Sequence, residues 1–178
     1  MDHDAEPLDK IVPLVNALEA EGFQPVLVGG MALVILGSQR ITRDFDFLVS
    51  ARDMPPNLLE AIYRQGYELV TKFKPAGVVY RTIDNPNVAA ARLKMDKPPS
   101  LFFFNWETRI KIDLLLDFPF FAGDVAGRAA RIVAKSGFIR VASPEDLLRM
   151  KEIAYADRKS AADAQDLEFL RRLMKKGS

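Results

Sequence analysis

The sequence has no cysteine and one histidine, and both shortages narrow what it can do. Without cysteine there is no disulfide, no thiolate nucleophile and no cysteine zinc site, and a reducing compartment is permitted. His3 stands in what reads as a frayed N-terminal tail, which argues against serine-histidine catalysis, histidine-rich zinc sites and most histidine acid-base schemes. Chemistry is left to carboxylates and lysines. An excess of one charge is also missing. The 25 basic and 24 acidic side chains leave a net charge of +1, so any nucleic acid must be held by a local patch rather than by broad attraction. Long apolar runs are lacking too: residues 25–36 are interrupted by glycines and fall short of a membrane span. Asp2, Asp4 and Glu6 oppose the basic start of a secretory signal, so the cytoplasm is the expected location and no membrane is expected as a partner.

What is present is a globular composition. With 178 residues, 49% of them hydrophobic, and mixed charges, the chain fits one domain or one domain with a small helical appendage. Leu8, Ile11, Val12, Val15 and Leu18 recur at helical spacing, and Gly22 suits a left-handed stop. A short buried strand over 25–28 then leads into Gly29-Gly30 and an apolar helix over 31–36. Residues 44–49 read as a strand that turns fully apolar, and Leu58, Leu59, Ile62 and Tyr63 mark a helix ending before Gly66. Strands over 67–73 and 78–83 flank a turn at 74–77, whereas 84–100, with Asn-Pro, Pro-Pro and scattered charges, reads as a loop with room for one helical turn. Strands over 101–104 and 109–116 follow, and residues 131–134 and 138–141 form a small hairpin.

Ser143-Pro144-Glu145-Asp146 combines a capping serine, a proline at the first helical position and acids in the first turn. It opens a helix to about residue 156, and a second helix runs over 161–174. The pattern predicts an α/β (α+β) fold: a mixed sheet flanked by helices over 1–142, with a C-terminal helical pair over 143–178 packed on it.

The acids carry the chemistry. Side chains two apart on a strand leave one face, so Asp44 and Asp46 point together while Phe45 and Phe47 face the other way. Like charges that close are costly unless a cation neutralises them, and a hard divalent ion such as magnesium does so best. Asp113 is a polar residue entering an apolar run, and it joins the pair if its strand lies beside theirs. The unpaired amides of the Gly29-Gly30 turn at a helix start suit a phosphate, although neither the dinucleotide fingerprint nor the P-loop spacing is present. Each feature alone is more often structural: a tight turn, or a solvated strand edge. Their order in so short a chain favours a site.

Val28-Gly29-Gly30 followed after thirteen residues by Asp44-Phe45-Asp46-Phe47, with Ile41-Thr42-Arg43 just before the acids, resembles the nucleotidyltransferase superfamily that includes DNA polymerase beta, above all the small bacterial AbiEii-toxin-like members. The resemblance continues through Ser143-Pro144-Glu145-Asp146-Leu147-Leu148, Lys151, Arg158 and Asp163-Ala164-Gln165-Asp166-Leu167, although Ala162 stands where relatives carry a lysine. It implies that Asp44, Asp46 and Asp113 bind magnesium or manganese and act in catalysis. It further implies that Gly29, Gly30, Arg43, Lys151 and Asp163 bind a nucleoside triphosphate, and that a nucleotide passes to a hydroxyl on RNA, a protein or a small molecule, in a toxin-antitoxin or phage-defence setting. On spacing alone Lys151 and Asp163 both face inward and are as well explained by pairing with each other. Two rival readings stay open: a catalytically silent nucleotide-binding or partner-binding protein of this fold, and a metal phosphohydrolase, which the shortage of histidine disfavours.

Overall fold

The computed structural model describes residues 5–98 and 100–177, with side chains from Pro7 onward. His3 and the acids Asp2 and Asp4 lie outside the described residues. One eight-stranded mixed sheet runs through the molecule, flanked by seven helices among the described residues.

Helix α1 (Ala5–Ala20) buries Ile11, Val12, Leu14, Val15 and Leu18, the stripe its periodicity calls for, and Gly22 beyond it takes φ +89°. Strand β1 (Val26–Val28) is wholly buried and passes directly into α2 (Gly29–Ile35), which starts two residues earlier than its apolar run suggests because both glycines belong to its first turn. Strand β2 (Phe45–Val49) follows, with Phe45 and Phe47 buried and stacked at 6.4 Å, and then α3 (Pro56–Arg64). The hairpin of β3 (Glu68–Phe73) and β4 (Val79–Ile83) closes through a short 3-10 turn at Pro75–Gly77.

The segment over 84–100 is not a loop: it forms α4 (Pro86–Asp96). Asn-Pro, which suggests a turn, is here a helix start, since Asn85 Oδ1 accepts from the amides of Asn87 at 2.9 Å and Val88 at 3.3 Å and Pro86 holds the first helical position. Only Ala89 and Leu93 of this helix are buried, so its apolar stripe is too thin to stand out in the sequence.

Strand β5 (Leu101–Phe104) leads to β6 (Lys111–Leu116), which begins two residues later than expected. Asn105 Oδ1 accepts from the amides of Glu107 at 2.9 Å and Thr108 at 3.0 Å, and Arg109 takes φ +61°, so the turn extends through Arg109. A short helix, α5 (Ala122–Arg128), precedes the hairpin of β7 (Ala130–Ala134) and β8 (Gly137–Val141).

The C-terminal pair is as anticipated. Helix α6 (Pro144–Arg158) is capped by Ser143, which accepts from the Asp146 amide at 3.2 Å, and α7 (Ala161–Lys176) is capped by Ser160, which accepts from the Asp163 amide at 3.1 Å. Buried Asp146 receives the fork of Arg128 through two hydrogen bonds of 2.9 Å, which ties α6 to α5.

Sheet order is β4-β3-β5-β6-β2-β1-β8-β7. Two central pairings place the acids. Strand β2 runs parallel to β6 with Asp46 opposite Asp113, and antiparallel to β1 with Asp46 opposite Val28. The glycine turn that follows Val28 is therefore set beside the same carboxylate.

Candidate active site

Asp46 sits at the meeting point of β1, β2 and β6. Its cross-strand neighbour on β6 is Asp113, two carboxylates side by side on parallel strands, and Asp44 stands two residues back on the same face. The strand adjacency that the third acid requires is thus present.

Electrostatics record the crowding. Burial raises the carboxyl of Asp46 above its ordinary range, and the charge of Asp44 adds to this, while Lys151, Lys111 and Arg40 pull it back. Asp113 is pushed up to about 7, first by burial and then by the charge of Asp46, with Lys111 opposing. Two buried side-chain oxygens among the described residues accept no hydrogen bond, Asp9 Oδ2 and Asp113 Oδ1. The first has Lys135 Nζ at 3.5 Å, whereas Asp113 Oδ1 is left without a hydrogen bond on a carboxyl that feels the charges of both Asp46 and Asp44.

Asp44 differs from its neighbours. It is half exposed, just ahead of β2, and Lys111 Nζ lies 2.9 Å from its Oδ2. Among the described residues no three acid, histidine or cysteine side chains are gathered closely enough to hold one ion. The donor chemistry nonetheless suits a hard divalent cation: oxygen ligands in register, carboxyls crowded by like charge, and a buried oxygen lacking a partner. Arg43, expected at the nucleotide, is exposed immediately before Asp44.

Gly29 is required here for two reasons. Its φ of +66° lies in the left-handed region, and a Cβ on it would overlap the Asp46 carboxylate. At Gly30 a Cβ would come within 2.9 Å of Arg40 Cζ. The room left by the glycine pair is taken up by Asp46 and Arg40.

The C-terminal helices bring a second charged cluster to this place. Lys151 Nζ lies 3.1 Å from Asp163 Oδ1 and 2.8 Å from Asp166 Oδ2. Arg158 reaches Asp163 at 3.2 Å, and Arg40 reaches Asp166 at 2.5 Å. Both aspartates are buried. Burial alone would push Asp163 up, but the hydroxyl of Ser160, Lys151 and Arg158 together hold it below the usual carboxylate range. Lys151 and Asp163 do pair with each other, and the ammonium is also close enough to Asp46 to lower its carboxyl.

Sequence reasoning passed over Arg40, Asp166 and Lys111. Asp166 follows Asp163 by three positions on one helix face, a signal that was there to be read. Arg40 carries no local signal, since its partner lies 126 residues away. A cavity of about 580 Å³, lined by Leu59, Leu93, Leu101, Leu114 and Leu116 with Asp53, Lys94 and Lys97, contains none of these acids.

A family model described as nucleotidyl transferase AbiEii toxin, type IV toxin-antitoxin system, matches residues 13–177. Similar solved structures include an antigenic nucleotidyltransferase-like protein from Paracoccidioides brasiliensis, at 18% identity and TM-score 0.57, covering 93% of this chain and 75% of that one. Another is the lincosamide antibiotic adenylyltransferase LnuA in its lincomycin-bound form, at 14% identity and TM-score 0.54, covering 93% of this chain and 96% of that one. Both likenesses concern the fold. A search of the curated proteins by sequence gives no match.

Proposed function

The chain belongs to the AbiEii nucleotidyltransferase family, and on that premise we propose that it moves a nucleoside monophosphate from a nucleoside triphosphate to a hydroxyl acceptor at Asp44, Asp46 and Asp113. The observation that carries this reading is the register of β2 on β6, which sets Asp46 against Asp113 in a partly buried position where two like charges are costly without a cation. Magnesium or manganese held by Asp44, Asp46 and Asp113 would supply polarisation of the phosphate and neutralise charge on the departing pyrophosphate.

The chain's own groups then have separable tasks. Asp113, set beside Asp46 by the strand register, either holds the second metal ion or takes the acceptor hydroxyl's proton. The acceptor oxygen bonds to the α-phosphorus, the bond from that phosphorus to the bridging oxygen breaks, and pyrophosphate leaves with the electron pair. Gly29 leaves room for the Asp46 carboxylate, and a triphosphate at the Gly30 backbone would also meet the guanidinium of Arg40, which fills the space over that glycine. Lys151, oriented by Asp163 and Asp166, and Arg43 at the rim meet the triphosphate charge. Residues 143–177 act as the helical segment that closes this side of the site, through Lys151. RNA, protein and small molecules are all acceptors of suitable chemistry. The family's description names a toxin-antitoxin system, which supports that setting for the activity, and the cytoplasm is the compartment we propose for it. Among the described residues no helix is long and apolar enough to cross a membrane.

Incubation with each labelled nucleoside triphosphate and magnesium in the presence of cell extract tests the reading. Release of pyrophosphate with label transferred to an extract component is expected, and Asp46→Asn abolishes both. Triphosphate binding without release or transfer under any condition would sink the enzymatic reading in favour of a silent binding protein. Inorganic phosphate released without transfer would indicate a phosphohydrolase.

A further inference from the structure

Along β2 and β6 the cross-strand neighbours alternate in kind. Asp46 faces another acid, Asp113, whereas Asp44, two residues earlier, faces Lys111, two residues earlier on the partner strand. The ammonium of Lys111 lies 2.9 Å from Asp44 Oδ2 and is more enclosed than its partner, with side-chain exposures of 19% and 49%. It also rests over two rings, 5.5 Å from the centroid of Phe73 and 5.8 Å from that of Phe102, which meet edge to face at 5.3 Å. Ring faces stabilise a partly desolvated ammonium and give it a place to stay when its carboxylate is engaged elsewhere. The groups facing it are thus Asp44 just ahead of β2, Asp113 on its own strand, and the rings of β3 and β5, with Asp46 close enough to feel its charge.

We propose that Lys111 is a resident counter-ion of the acid cluster, holding Asp44 while no metal is bound and yielding it when the metal arrives, so that ammonium and metal compete for one carboxylate. This rests on the metal-binding reading of the three acids. Lys111 is a positioning residue: it sets the orientation of Asp44 and the threshold at which a cation is taken up, and it needs no contact with the reacting atoms.

Manganese binding to the nucleotide-free protein, followed by the electron paramagnetic resonance of the free ion, provides a readout independent of turnover. Lys111→Met is expected to tighten manganese binding roughly fivefold, the scale of a partly exposed ion pair. In an Asp44→Asn background the same change should alter affinity by less than about twofold, because no carboxylate is left to compete for. Lys111→Arg keeps the pair and stays near the wild type. Unchanged affinity in Lys111→Met overturns the proposal, and so does equal tightening in both backgrounds, which marks a general field effect; either leaves the metal reading standing. No manganese bound by the wild type, with or without triphosphate, overturns the metal reading and this inference with it.

Discussion

Two charged clusters meet in this protein and are built on opposite plans. At the sheet, Asp44, Asp46 and Asp113 gather like charges on adjacent strands, with one oxygen unpartnered and two carboxyls raised. At the helices, Lys151, Arg158 and Arg40 interleave with Asp163 and Asp166, and Asp163 is lowered. The second group stabilises the fold in its present state. The first is offset only in part, by Lys111 at Asp44 and by the more distant charges of Lys151 and Arg40 at Asp46. A strained cluster beside a satisfied one is what a site needs: groups that await a ligand, and groups that hold them still.

The sharpest way to separate the two is one substitution in each. Asp46→Asn should lower nucleotidyl transfer on the order of a thousandfold, judged by label transfer at saturating triphosphate, while leaving the melting temperature unchanged or higher because a like charge is removed. Lys151→Met should do the reverse in stability, lowering it by about 2–3 kcal/mol in urea denaturation. The cost falls below that of a wholly orphaned buried charge because Asp163 retains Arg158 and Asp166 retains Arg40. If Asp46→Asn destabilises the protein as Lys151→Met does, the distinction between the clusters is lost.

Gly29→Ala probes the join between glycine turn and acid. The positive φ and the overlap with the Asp46 carboxylate require the acid to shift, and transfer should fall about a hundredfold, checked by steady-state kinetics. A further test is a pH dependence. Asp113 has a folded-state value near 7 against 3.8 for the free carboxyl, so the folded chain holds its proton more tightly. The associated stability is fully present below about pH 4 and is lost as pH rises through 7. In chelator-treated protein, melting temperature should therefore fall between pH 4 and 7 through this group, and Asp113→Asn should flatten that part of the curve and melt a few degrees higher at pH 8.

What could be read in the sequence was local. The glycine pair and the alternation of Asp44, Phe45, Asp46 and Phe47 are fixed by turn and strand geometry within a few residues, and the Ser143-Pro144 start of α6 is a cap with its own signature. Asp113 was visible as a polar interruption, but its place opposite Asp46 depends on sheet order, which no window of sequence contains. The salt bridge of Arg40 to Asp166 spans 126 residues and was invisible for the same reason. Helix α4 was missed because Asn-Pro serves equally as a turn and as a helix start, and two buried side chains are too few to reveal a period.

The central claim is that the strained cluster is the metal-dependent nucleotide site. A crystal structure with manganese and a non-hydrolysable nucleoside triphosphate, read by anomalous scattering, tests it most directly. The expected result is manganese bound by Asp46 and Asp113 and by Asp44 turned away from Lys111, with the triphosphate against Gly30 and Lys151. Manganese and triphosphate bound away from Asp46, with Asp44 still held by Lys111, would contradict it.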